Sequence, residues 1–227
     1  METVLVVAAH PDDEVLGCGG TLARHAAAGD AVHVLFLADG VAARTAGGSV
    51  DPGALTARLD AAREAAAILG LAGVDALGLP DNRLDTVPLL DLVQAVERVL
   101  ARLDPQIVYT HHHGDLNIDH RLAHQAVLTA CRPLPGCSVH TLRCFEVPSS
   151  TEWQAPGAAP FEPNLFIDVT ATLDRKRRAL QAYGAELRTF PHPRSIEAIE
   201  ALGRWRGASA GLAHAEAFVV ARQIVAG

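Results

Sequence analysis

Residues 3–14, TVLVVAAHPDDE, decide how the rest of the chain is read. Thr3 to Ala9 is a run of aliphatic and β-branched residues without polar alternation, the pattern of a strand covered on both faces. Such a strand belongs at the centre of a sheet. Directly behind it, His10-Pro11-Asp12-Asp13-Glu14 sets one imidazole and three carboxylates at the strand's end. A helical pattern follows from about Val15 to Ala28 and stops at Gly29, and a second apolar run spans Ala31 to Leu37. Together these make one βαβ unit with a right-handed crossover.

Working outward, residues 38–53 collect Gly, Asp, Ser and Pro after a strand end and read as a loop over the rim of a site. A helix is expected from Ala54 to Leu69, a third strand from Val74 to Leu79, and a helix from Leu89 to Leu103. That last helix carries an apolar face at Leu92, Val96, Val99 and Leu103 and is ended by Pro105. Gln106 to Thr110 makes a fourth strand, and the polar segment His111 to Asp119 leads into a helix from His120 to about Cys131. Val139 to Val147 and Asn164 to Val169 read as further strands, joined by a loop rich in Pro, Gly and Ala. The alternation predicts a single α/β domain over residues 1–227, without internal repeats or a linker. Both polar clusters fall where a strand hands over to a helix, the place where open α/β sheets bind ligands.

Composition narrows the function classes. With 26 acidic against 19 basic residues the formal charge is −7, so no field attracts a nucleic acid. The densest basic run, Arg175 to Arg178, fits one exposed helix face. No apolar run approaches the roughly 20 residues a membrane span needs, and a cytoplasmic location is expected. Cys18, Cys131, Cys137 and Cys144 form no CxxC pair and sit among apolar neighbours, so they are expected to be buried thiols.

Three adjacent acids behind a buried strand cost desolvation and repulsion unless a cation offsets them, and a metal ion does this economically. His10 and Asp13 are the ligands offered by the first cluster. The second, HHHGDLNIDH over residues 111–120, adds His120, whose place at the start of a helix can hold its ring at the mouth of a cleft. His10, Asp13 and His120 give two imidazoles and one carboxylate, the three-ligand zinc (Zn2+) arrangement that leaves a position for water. Asp12 is next to a ligand without being needed as one, which suits a general base. Against this stands the plainer possibility that Asp12 or Asp13 caps the following helix and His10 is a satisfied core histidine. Among His111, His112 and His113, one functional member is expected and His111 is the candidate for substrate contact.

AHPDDE and GDLNIDHR, joined by LPDNRLD at residues 79–85, PHPRS at 191–195 and AEAF at 215–218, make the chain resemble the LmbE/PIG-L family of N-deacetylases over nearly its whole length. The resemblance implies a Rossmann-like α/β fold, a three-layer sandwich with a mostly parallel central sheet. It also implies zinc-dependent hydrolysis of an N-acetyl group on an N-acetylglucosamine-type sugar or conjugate, releasing acetate and a free amine. The same three ligands and Asp12 as base follow from the matching motifs, and analogy with relatives suggests a homo-oligomer, a trimer or hexamer.

One position departs from the pattern. Many relatives carry His-Pro-Asp-His where this chain has Asn117-Ile118-Asp119-His120. Asn117 can donate a hydrogen bond to an oxyanion but cannot act as a general acid. The leaving amine must then take its proton from Asp12 or another histidine, with His192 the leading candidate. Asp119 is expected to orient a neighbouring histidine or Asn117, and Arg58, Arg83 and Arg194 either to contact sugar hydroxyls or a phosphate or to serve as surface ion-pair partners. Three other possibilities compete: a zinc amidase acting on a thiol conjugate or antibiotic precursor, a metal-binding protein without catalysis, and a nucleotide-binding Rossmann module suggested by Gly17, Gly19 and Gly20. The last lacks the GxGxxG spacing and sets acids where a pyrophosphate would lie.

Overall fold

The computed structural model describes residues 1–44 and 51–225. Among them, seven strands form one sheet in the order β3-β2-β1-β4-β5-β7-β6. β1 (Thr3–Ala8), β2 (Ala31–Ala38), β3 (Gly73–Leu79), β4 (Ile107–His111) and β5 (Thr141–Phe145) are parallel, while β7 (Ala215–Gln223) runs antiparallel to both β5 and β6 (Leu165–Asp168). The expected α/β sandwich with a mostly parallel sheet is therefore what forms. After β1 the chain builds outward through β2 and β3, then returns to place β4 on the other side of β1. The reversal leaves a crevice beyond the carboxyl ends of β1 and β4, and both polar clusters open into it.

Two apolar cores flank the sheet. Val4, Val6 and Ala8 of β1 face one together with α1 (Asp13–Ala27), α2 (Pro52–Leu69) and α5 (Leu173–Ala182). Leu5 and Val7 face the other, with α3 (Leu89–Leu103) and α4 (Ile118–Ala130). Burial on both faces explains why β1 shows no alternation. α6 (Ile196–Ala208) precedes β7, and no described helix is long and apolar enough to cross a membrane.

Several boundaries and faces differ from the sequence expectation. α2 starts two residues early because Asp51 caps it, accepting from Gly53 N, with Pro52 at its first position. α4 likewise starts at Ile118, capped by Asn117. Of the loop expected over 38–53, residues 45–50 lie outside the described residues. Lys176 is buried rather than exposed with its basic neighbours, because it finds a buried partner in Glu216. Cys18, Cys131 and Cys144 are buried as expected, but Cys137 is exposed in the turn after α4.

α1 is broken at Cys18, whose φ of −144° and ψ of 16° are not helical. Short residues allow the break to sit tightly against the sheet. A Cβ on Gly17 would lie 2.3 Å from the Phe145 ring, and one on Gly20 would lie 2.8 Å from the Val169 side chain. These glycines serve close packing, not a nucleotide. Gly17→Ala is expected to destabilise the protein by about 1–3 kcal/mol through overpacking, read as a lower urea midpoint with an unchanged slope; an unchanged midpoint would show that Phe145 moves aside freely.

Candidate metal and catalytic site

At the end of β1 the chain turns through His10-Pro11 into α1, and Asp12 takes a φ of 125° that non-glycine residues rarely adopt. Asp12 holds the N-cap position of α1, yet its side chain makes no capping hydrogen bond. Instead the Asp12 amide donates to Glu14 Oε2 at 3.0 Å, while Tyr183 donates its hydroxyl to Glu14 Oε1 at 2.7 Å. Glu14 therefore supports the turn from behind. Strain of this kind costs about 1–3 kcal/mol and persists where surroundings enforce it.

His10, Asp13 and His120 converge, although Asp13 and His120 lie 107 positions apart along the chain. Asp13 Oδ2 lies 3.2 Å from His10 Nδ1 and 3.3 Å from His120 Nε2. The other nitrogen of each ring rests on a second carboxylate: His10 Nε2 is 3.1 Å from Asp119 Oδ2 and from Asp81 Oδ1, and His120 Nδ1 is 3.1 Å from Asp115 Oδ1. Those outer carboxylates are themselves held. Asp119 accepts from the amides of Asn82 and Leu84, and Asp115 accepts from the Asn117 amide and the hydroxyls of Ser150 and Thr151. Carboxylates behind imidazoles fix ring orientation, a recurrent feature of metal ligands.

Three atoms of this group are buried without a hydrogen-bond partner among the described residues: Asp13 Oδ1 and both ring nitrogens of His120, which lie near carboxylates but out of line for hydrogen bonding. Buried polar atoms left so are costly unless a ligand satisfies them. One potential ligand atom from each of His10, Asp13 and His120 falls within 4.8 Å of the others, so the three residues could hold a metal ion. A second possible set, His10, Asp81 and Asp119, meets the same distance, but both Asp119 oxygens already accept backbone hydrogen bonds. The donor chemistry fits the first set.

The rings and carboxylates of this group shift one another's pKa values. Burial depresses His10, but hydrogen bonds to Asp119, Asp13 and Asp81 outweigh it and raise its pKa well above the usual imidazole value. Burial likewise opposes His120, and the charge of Asp13 and the contact with Asp115 lift it to about 9. Asp13 is held well below the carboxylate range because His120 and His10 overcome its burial. Asp115, also buried, is brought down to about 2, chiefly by His120. Protons on the rings compensate the surrounding carboxylates, and a divalent ion would compete with them.

Asp12 faces the opposite wall. Its Oδ2 is 3.1 Å from Arg194 Nη1 and 3.6 Å from Arg58 Nη2, and Glu186 pairs with both arginines. Burial raises the Asp12 pKa more than the two arginines lower it. His10, Asp12, Asn82, Asn117, Arg58 and Arg194 line a polar cleft of about 150 Å³. Asn117 uses Oδ1 to cap α4 through the Asp119 amide, leaving Nδ2 as a donor toward Asn82 Oδ1 at 3.1 Å.

Other expected contacts fall differently. His111 is fully buried, stacked 4.0 Å from the His120 ring and accepting the Ala9 amide on Nε2, so it backs the site instead of meeting a substrate. Arg83 is exposed beside Asn82 and does not line the cleft. His192 is outside the lining as well; its Nδ1 accepts the Arg194 amide and so shapes the loop that delivers Arg194. Asp115 and Asp81 also belong to the group around His10 and His120, and both stand inside the quoted motifs GDLNIDHR and LPDNRLD, the one signal in the sequence that points to them. Glu186 carried no such signal.

Residues 5–131 match the protein family described as PIG-L, GlcNAc-PI de-N-acetylase. The chain is 34% identical over 171 residues to a protein of Escherichia coli (strain K12) called uncharacterized deacetylase YaiS, covering 73% of this chain and 81% of that one. It is also 31% identical over 204 residues to a 4-oxalmesaconate hydratase of Pseudomonas putida, covering 82% of this chain and 74% of the other. Among solved structures, the conserved protein TT1542 of Thermus thermophilus superposes with a TM-score of 0.78 at 30% identity, over 100% of this chain and 98% of that one.

The protein is expected to bind one divalent ion, measured by elemental analysis after removal of excess metal. His120→Ala should abolish retention, and Asp115→Asn should weaken affinity about 10- to 100-fold in chelator competition. Stoichiometric metal in His120→Ala would refute the ligand set.

Proposed function

We propose, from the premise that this chain belongs to the PIG-L family of GlcNAc-PI de-N-acetylases, that it is a zinc-dependent N-deacetylase acting on an N-acetylglucosamine-type sugar or conjugate. The observation that carries this proposal is the meeting of His10, Asp13 and His120 beside a separate buried carboxylate, Asp12, which lines one small polar cleft together with His10. His10, Asp13 and His120 would hold the ion. When bound, zinc polarises an amide carbonyl and makes water easier to deprotonate.

The chain's own residues supply the rest. Asp12 accepts the proton of the attacking water; its burial strengthens it as a base, and Arg58 and Arg194 fix its orientation. As the tetrahedral centre collapses, Asp12 returns that proton to the departing nitrogen, which Asn117 cannot do. Asn117 lines the cleft with Nδ2 donating to Asn82 Oδ1, and the second hydrogen of that amide would donate to the developing oxyanion. Arg194 is partly exposed on the cleft wall, where sugar hydroxyls would reach it. Products are acetate and a free amine.

A second activity is favoured by the hydratase relative: the same base beside a Lewis acid can add water to a conjugated double bond, with the arginines receiving a substrate carboxylate. Acetate release from N-acetylated sugars and loss of ultraviolet absorbance by unsaturated dicarboxylates separate the two. With an N-acetylated sugar as substrate, Asp12→Asn should keep its metal and lose about 10²- to 10⁴-fold in kcat. Asparagine matches aspartate in size and shape, so a near wild-type kcat would remove Asp12 from the mechanism.

A further inference from the structure

The break in α1 separates residues 13–17, which follow Asp12 and begin with Asp13, from residues 19–27. Interrupting a helix strands carbonyls at the end of the first part and amides at the start of the second. Two side chains from the far end of the sequence take up these groups. Glu216 of β7 accepts the Gly20 amide on Oε1 at 2.8 Å and the Thr21 amide on Oε2 at 2.7 Å, capping the second part with a carboxylate. Lys176 of α5 donates to the Leu16 carbonyl at 3.0 Å and to Glu216 Oε1 at 2.6 Å. Thr172 Oγ1 completes the clamp on Gly20 O at 2.8 Å.

The clamp is one hydrogen bond from the catalytic turn. Leu16 receives Lys176 on its carbonyl and donates its own amide to Asp12 O at 2.9 Å. Lys176 is thereby linked through a single residue to the backbone of Asp12, the position with φ of 125°. The side chains of Lys176 and Glu216 are only 8% and 5% exposed. A buried pair of this kind seldom stabilises a fold more than apolar residues of the same size would, and an unbroken helix would need no clamp. Stability alone therefore does not account for it.

We infer that Lys176 and Glu216 are positioning residues for the proposed reaction, setting the break in α1 so that Asp12 and Asp13 stand correctly against His120. Gly20 is part of the device, since a Cβ there would lie 3.2 Å from Glu216 Oε1. The inference rests on the proposed metal-dependent activity, and metal affinity provides a readout separate from turnover.

The test compares wild type with Glu216→Asp and with Lys176→Met/Glu216→Gln. Glu216→Asp keeps the charge but shortens the reach; the double variant removes both charges and keeps one acceptor for the stranded amides. Each variant is assayed for urea unfolding, chelator competition and acetate release. The expected result for Glu216→Asp is a folded protein with metal affinity reduced about tenfold, kcat reduced at least about tenfold and KM within about threefold of wild type. The double variant should show the same loss at near wild-type stability. Wild-type metal affinity and kcat in folded Glu216→Asp would overturn the inference, even if the double variant failed to fold. Absence of acetate release by wild type, with metal affinity still falling in Glu216→Asp, would sink the deacetylase assignment and leave the positioning role supported.

Discussion

Carboxyl groups buried at the carboxyl ends of β1, β3 and β4 are the constraint around which this protein is organised. Asp12, Asp13, Glu14, Asp81, Asp115 and Asp119 are all buried there. Each is met by a specific partner: imidazoles for Asp13, Asp81, Asp115 and Asp119, arginines for Asp12, and a tyrosine hydroxyl for Glu14. At Asp13 Oδ2 the rings of His10 and His120 close on one oxygen, joining the β1 turn to the start of α4. Proximity of this kind is bought with strain at Asp12.

The arrangement splits the cleft into halves with opposite logic. On one side, rings are backed by carboxylates. On the other, Asp12 is flanked by arginines and balanced by Glu186. Two carboxylates adjacent in sequence thus have opposite pKa displacements, Asp12 upward and Asp13 downward. Separation of that sort fits the proton-accepting role proposed for Asp12 and the ligating role proposed for Asp13.

Much of this was legible in the sequence. The unalternating run of β1, the acidic cluster behind it and the second cluster behind β4 are local patterns, and the crevice between them follows from sheet topology. Asp12, Asp13, His10 and His120 were readable because their residue types are scarce elsewhere in such density. What stayed hidden depends on tertiary contact. Glu186 sits in an unremarkable stretch and acquires a role only when α5 brings it to Arg58; His111 looked polar and available until β4 buried it under His120. α5 shows in the sequence only through the basic run Arg175 to Arg178, α6 and β7 carry no comparable local pattern, and Lys176 reads as one more basic surface residue because its acidic partner lies 40 positions away.

The clamp at the break in α1 bears on how the molecule is made. Glu216 stands 196 residues after Gly20, whose amide it caps. A nascent chain emerging from the ribosome already holds every proposed metal ligand once residue 120 is out, yet the turn bearing Asp12 is not secured until residue 216 has followed. Competence is in that sense a late acquisition of the growing polypeptide, and a fragment ending after α4 would carry the donors without the frame.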